Sequence, residues 1–306
     1  MNNEVPLFMR TFDDIYNYVK NLNPKVIAVA QAADDDVLEA IKEASDRGII
    51  KSILIGNKEK IERIAASIGL VLTKHEIIEA KNNLEACQIA VKLVSEGKAD
   101  ILMKGLVQTA EILKVVLDKD IGLRTGRTLS HVAVFESPYN RLILLTDAAM
   151  NIAPDLKVKI DIILNAVDVA REIGIDAPRV AVLGAVETVN MDMQATLDAA
   201  VLSKMSERGQ IKGAIIDGPL ALDNALSVEA ARHKGIISPV AGNADILLVP
   251  DIEAGNMLYK SITYIGERKI AGIIMGAKKP IVLTSRSDSS EAKFNSIMLA
   301  SIASNR

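Results

Sequence analysis

Arg286 is a permanent cation set among four serines, Ser285, Ser287, Ser289 and Ser290. It stands where an apolar run, 280–283, gives way to helical spacing at Phe294, Ile297, Met298 and Ser301. The serines alone suit a helix start. Asp288 followed by Glu291 reads as a capping box, and Ser287 is an equal candidate for the cap. Arg286 does not suit that position, because a cation beside the positive end of a helix dipole is unfavourable. An anion held there by the free backbone N–H groups reconciles the two. The chemistry expected is recognition of a phosphate, or of negative charge that develops on a transferring group.

Other cations and donors recur at strand ends. In "PDIEAGNMLYKS", 250–261, a strand end and a glycine lead into a helix start, and Asn256 and Lys260 share one helix face. The lysine leans back toward the helix N-terminus, so this pair reads as a second anion site. "GLRTGRTLSH", 122–131, supplies Arg124, Arg127 and Ser130 in a glycine-punctuated loop, and Lys104-Gly105 ends another strand. Asp147 with Asn151, Asp217-Gly218-Pro219 and Pro250-Asp251 mark further strand ends. No phosphate-loop, dinucleotide, zinc-protease or serine-hydrolase signature occurs. His75, His131 and His233 lack ligand spacing, so no metal site is expected. Cys87, on an apolar helix, reads as core.

The elements that must position these residues are legible. Short apolar runs ("KVIAVAQAA", "SILIG", "EIIEA", "DILMKG", "HVAVFE", "RLILLTDAA", "RVAVLGA", "GAIIDG", "ADILLVPD", "AGIIMGA", "PIVLTS") alternate with amphipathic stretches through most of the chain. The runs are continuous rather than alternating, as in a parallel sheet covered on both faces. This predicts an α/β, doubly wound fold whose function lies at the carboxyl ends of strands. A long helix is expected through Leu156, Ile160, Ile163, Val167 and Ala170, with Pro154 in its first turn. "ESPYNR", 136–141, is the strongest turn cluster in mid-chain.

The chain has 306 residues, a net charge of −3, no Trp, four Phe and five Tyr. The mixed charges and scarce rings argue against a nucleic-acid surface. One cysteine allows no internal disulfide and suits a reducing cytosol. The opening "MNNEVPLFMRTFDD" has no signal-peptide core, and no apolar run approaches the roughly 20 residues of a membrane helix. A cytoplasmic location and no membrane contact are expected.

"GNMLYK" at 255–260, "DGPLALDNA" at 217–225, "KPIVLTSR" at 279–286 and "LTDAAMNIAPD" at 145–155 together resemble the phosphate acetyl/butyryltransferase family. "GRTLSHVAVFE", 126–136, and "AVETVNMDMQATLDAA", 185–200, resemble its butyryltransferase branch. The resemblance implies two αβα domains with mostly parallel sheets, like those of isocitrate/isopropylmalate dehydrogenases. It implies a split first domain, 1–139 plus 276–306, a second domain, 140–275, and an active site in the interdomain cleft. The activity implied is butyryl-CoA + phosphate = butyryl phosphate + CoA, by direct transfer in a ternary complex. The alternatives are a phosphate acetyltransferase or a non-catalytic acyl-CoA-binding paralogue. CoA thioester and phosphate are then substrates, with no permanently bound cofactor and no metal. A homo-oligomer and an acyl kinase as pathway neighbour are implied as well. The implied catalytic residues are Ser285, Arg286 and Glu291; Lys104, Gly105, Arg127, Ser130, Asn256 and Lys260 bind substrate. In two places the chain departs from the acetyltransferase pattern. Ser287-Asp288 replaces a Gly-Cys pair, with Ala292 at the position of a thiol-accepting aspartate and Glu291 one residue earlier. "SITY" follows the YK where an arginine is usual.

Overall fold

The eleven apolar runs all form strands, and five of them are buried from end to end, which is why polar residues do not alternate along them. The computed structural model describes residues 8–284 and 288–305. It divides into two compact units. The flanking unit is Phe12–Arg127 with Ile270–Arg306, and the middle unit is Met1–Thr11 with Thr128–Lys269.

The flanking unit begins with α1 (Phe12–Val19), β1 (Lys25–Ala30), α2 (Asp35–Asp46), β2 (Ile50–Gly56), α3 (Lys58–Ile68), β3 (Glu76–Glu79), α4 (Asn83–Ser95), β4 (Ile101–Lys104) and α5 (Thr109–Val116). The middle unit follows with β5 (Ser130–Glu136), β6 (Leu142–Thr146), α6 (Leu156–Glu172), β7 (Arg179–Leu183), α7 (Gln194–Glu207), β8 (Ile215–Leu220), α8 (Leu222–Leu226), α9 (Val228–His233), β9 (Ile246–Leu248) and α10 (Ile252–Lys260). The chain then returns to the flanking unit for β10 (Ile270–Met275), β11 (Ile281–Val282) and α11 (Ser290–Ala303).

In the flanking unit the strand order is β3-β2-β1-β4-β11-β10, parallel except for β10, which runs antiparallel to β11. In the middle unit it is β5-β6-β9-β7-β8, parallel except for β5 against β6. The α/β, mostly parallel architecture read from the sequence is the architecture observed. "ESPYNR" is the turn of the β5–β6 hairpin, where the Arg141 carbonyl accepts from Ser137 N at 3.0 Å and Ser137 Oγ at 2.7 Å.

Short polar residues start the helices by accepting from the backbone of their first turn. Asp34 takes the N–H of Val37, Asn57 that of Lys60, Asn82 that of Glu85 and Asp155 that of Val158. Two expectations change here. Asp155 is the cap of α6, so Pro154 precedes the helix rather than lying in its first turn. Ser289, not Asp288, caps α11 by accepting from Ala292 N at 3.2 Å, and Ser287 lies outside the described residues. Every residue of α11 from Ala292 to Ala303 is buried, against β10, α2 and α1. Its serines avoid a desolvation penalty by bonding locally. Ser296 Oγ donates to Ala292 O and accepts from Gly272 N, and Ser301 donates to Ile297 O.

Cys87 is fully buried on α4, and burial raises its thiol from 9.0 to about 11. The folded thiol therefore keeps its proton to a higher pH than the unfolded one. Its contribution to stability is complete below about pH 9 and is lost as pH rises toward about 11. The native protein is expected not to react with a thiol reagent at pH 8, and to react fully in denaturant. Rapid native modification would place Cys87 at the surface.

Candidate active site

At the carboxyl end of β4 two backbones meet without a side chain between them. Gly105 N donates to Ala30 O at 2.8 Å and Leu106 N to Gln31 O at 2.7 Å. A Cβ on Gly105 would lie 2.0 Å from the Gln31 carbonyl oxygen, so only glycine fits. Gln31 itself has φ of +57°, a strained conformation that nothing in the sequence announces. Lys104, just before, is buried and curls over the loop that follows it, with Nζ 3.2 Å from Gly105 O and 3.3 Å from Val107 O.

β11 runs parallel beside β4 with Val282 opposite Met103, so Thr284 leaves the sheet at the end that carries Lys104. Ser285 and Arg286 lie outside the described residues. The chain resumes at Asp288, whose carbonyl accepts from the buried Nζ of Lys293. That ammonium is also 3.4 Å from Asp36 Oδ2 on α2. Glu291 is exposed in the first turn of α11. Arg127 is exposed as well, and its loop is pinned elsewhere. Thr125 Oγ1 donates to Gly276 O at 2.5 Å, Lys278 N to Leu123 O, and Arg124 bridges Ala277. Gly276 and Ala277 belong to the β10–β11 turn, next to the amino end of β4. The loop that leads to Arg127 is thus pinned at the amino end of β4, while Lys104 lies at its carboxyl end.

In the middle unit, α10 carries Asn256 and Lys260. Its cap is Asp251, which accepts from Ala254 N at 2.8 Å, so the helix begins three residues before Gly255. Lys260 falls in its last turn and does not overhang its N-terminus, correcting the second-anion-site reading. The backbone stays helical beyond it, as a π turn over Ser261–Ile265. Lys260 Nζ lies 5.2 Å from the Tyr259 ring centroid and 5.5 Å from that of Tyr264. Tyr259 packs edge-on against His131, with centroids 5.7 Å apart. Asn256 Nδ2 donates to Ala148 O at 3.3 Å. This contact requires Gly255, because a Cβ there would lie 2.5 Å from Asp147 O and 2.9 Å from Ala148 Cα.

The loop beneath α10 is organised by Asp147, which is buried and accepts from the backbone of Ala149, Met150 and Asn151 and from Asn151 Nδ2. Asn151 also donates to Leu129 O, tying this loop to the start of β5. Ser130 there is fully buried, its Oγ accepting from Asn165 Nδ2 at 2.8 Å.

A cavity of about 670 Å³ opens at the carboxyl side of β9, lined by Pro250, Asp251, Asp155, Lys157 and Gln194. Its wall includes a buried ion pair, Lys159 Nζ to Asp198 Oδ2 at 2.5 Å, steadied by Gln194 Nε2 on Asp198 Oδ1 at 2.8 Å. Sequence reasoning missed this pair. The signal was a lysine in the same helical stripe as Ile162, Ile163 and Ala166. Among the described residues no group of three His, Cys, Asp or Glu side chains is placed to hold a metal ion, and no helix is long and apolar enough to cross a membrane.

The family described as phosphate acetyl/butaryl transferase matches residues 10–88 and 82–301. The chain belongs to that family. It is 53% identical to a phosphate butyryltransferase of Clostridium beijerinckii over 97% of this chain and 99% of that one. It is 48% identical to a phosphate acetyltransferase of Thermotoga maritima over 91% of this chain and 95% of the other. The crystal structure of a branched-chain phosphotransacylase from Enterococcus faecalis superposes with a TM-score of 0.83 at 36% identity, covering 92% of this chain and 99% of that one.

Gly255→Ala is expected to lower stability by about 1–3 kcal/mol in urea unfolding, the usual cost of forcing atoms into a packed contact. A change below about 0.5 kcal/mol, the size of an ordinary surface substitution, would mean that α10 is not held against the Asp147–Ala148 backbone.

Proposed function

We propose that this chain transfers a short acyl group, butyryl by preference, between coenzyme A and inorganic phosphate. The observation that carries the reading is its match along nearly the whole length to a phosphate butyryltransferase. A phosphate oxygen attacks the thioester carbonyl, the C–O bond forms, the C–S bond breaks, and the sulfur leaves with its electron pair to be protonated as CoA thiol. Both reactants are anionic, so fixed cations suit the site better than neutral donors. Much of the rate comes from holding the two together.

Arg286 is assigned to the negative charge developing on the carbonyl oxygen, and Ser285 to a hydrogen bond beside it. Glu291, exposed in the first turn of α11, exchanges the thiol proton with solvent. Lys293 on Asp288 O fixes the chain just after Arg286. Lys104, Arg127, Asn256 and Lys260 serve phosphate and CoA groups. Gly105 lets the strand ends approach, and Ser130 holds the start of β5 through Asn165. CoA and phosphate enter as substrates, and the reaction as written consumes no resident cofactor. A homo-oligomer acting in the cytoplasm, with an acyl kinase to handle the acyl phosphate, completes the reading.

The test is release of free CoA thiol from two- to six-carbon acyl-CoAs with and without phosphate. Release that requires phosphate and is fastest at four carbons is expected. A maximum at two carbons would make the enzyme an acetyltransferase, and binding of CoA without turnover would make it a non-catalytic paralogue. Arg286→Ala is expected to lower kcat by about 10²–10³ with folding intact. A loss under about threefold, less than 0.7 kcal/mol, removes Arg286 from the charge-stabilising role.

A further inference from the structure

A second cavity, about 440 Å³, lies at the amino ends of β6, β7 and β9, the other end of the middle unit's strands from its larger cavity. Arg141 precedes β6, Arg179 begins β7 and Asp245 precedes β9, and the three side chains meet. Arg179 gives Asp245 its backbone N–H at 2.9 Å, Nε at 2.9 Å and Nη2 at 3.0 Å. Arg141 Nη1 gives 3.2 Å bonds to Asp245 Oδ1 and Asn243 O. The carboxylate, almost fully buried, thus accepts four hydrogen bonds and has no capacity left.

Clamping three strand starts accounts for Asp245 and for one guanidinium. It leaves a second positive charge uncompensated in a half-buried place. Among the described residues neither Arg179 Nη1 nor Arg141 Nη2 has a hydrogen-bond partner. Burial pushes the Arg141 guanidinium down, Asp245 pulls it up, and the neighbouring Arg179 pushes it down again, as expected where a counter-anion is wanted. Aromatic rings line the same cavity. Phe8 and Tyr139 are 41% and 53% exposed, in a chain with only four Phe and five Tyr. Arg10 stands 5.6 Å from the Phe8 ring centroid. A forked cation recognises phosphate, and exposed rings offer a face to a planar base.

We propose that the cavity framed by Arg141, Arg179, Phe8 and Tyr139 binds a nucleoside phosphate, with the guanidinium groups on the phosphate and the rings on the base. The volume lies within the ordinary range for small-molecule sites. The site is separate from the acyl-transfer residues and does not depend on their assignment.

Calorimetric titration with AMP tests it. Saturating CoA is expected to leave AMP affinity unchanged. Tyr139→Ala, at an exposed ring, and Arg179→Lys, which keeps the charge on Asp245 but removes the fork, are each expected to weaken AMP by about tenfold. Thiol release without AMP stays at the wild-type rate in Tyr139→Ala. The proposal is overturned by no binding at millimolar AMP, by displacement of AMP with CoA, or by unchanged affinity in folded Tyr139→Ala. Inorganic phosphate binding as tightly as AMP, with adenosine not binding at all, overturns the nucleoside part and leaves a bare anion site.

Discussion

Burial of strands on both faces constrains everything else in this protein. A strand that touches helices above and below has no position for a polar side chain, so β1, β4, β6, β9 and β10 are apolar almost throughout. Chemistry is thereby displaced to the residues just past the strands, where backbones must come close. Gly105 against Gln31 and Gly255 against Asp147 are the two places where that approach is tightest around the assigned residues. At each, a missing side chain lets a polar neighbour be set by the backbone, Lys104 in one case and Asn256 in the other.

The same rule explains what could be read from the sequence. Continuous apolar runs identified the strands among the described residues, and 3.6-residue spacing identified α6 and α11. Boundaries were less legible, because several residues in a row could cap. Asp288, Ser287 and Ser289 are all competent caps by type, and which one accepts from the helix depends on the path of the chain into α11. The glycine of "GNMLYK" misled for a related reason. It was read as a helix start, but it is an interior glycine of α10, retained for close packing rather than for turning.

Charges buried by tertiary packing were the least legible features. Lys159 with Asp198 and Lys293 with Asp36 join residues 39 and 257 positions apart. Such pairs leave only a trace, a charged residue within an apolar stripe, and the identity of the partner is settled by the fold. The Arg141–Arg179–Asp245 cluster is of the same kind: three residues at three strand starts, separated by up to 104 positions. Removing one member of such a set leaves the other charge stranded, at a cost of about 3–5 kcal/mol when fully buried.

The chain enters and leaves the flanking unit, and the returning part supplies β10, β11 and α11, which is buried from Ala292 to Ala303. On the ribosome this helix is made only after all 142 residues of Thr128–Lys269 have emerged. Until then β4 lacks its neighbour β11, and the surfaces of α1 and α2 that receive α11 stay open to water. The middle unit, continuous apart from its short leading segment, is able to fold first. A nascent chain stalled before α11 would therefore hold one finished unit and one sticky half-unit, making the late segment the point at which chaperone dependence ends.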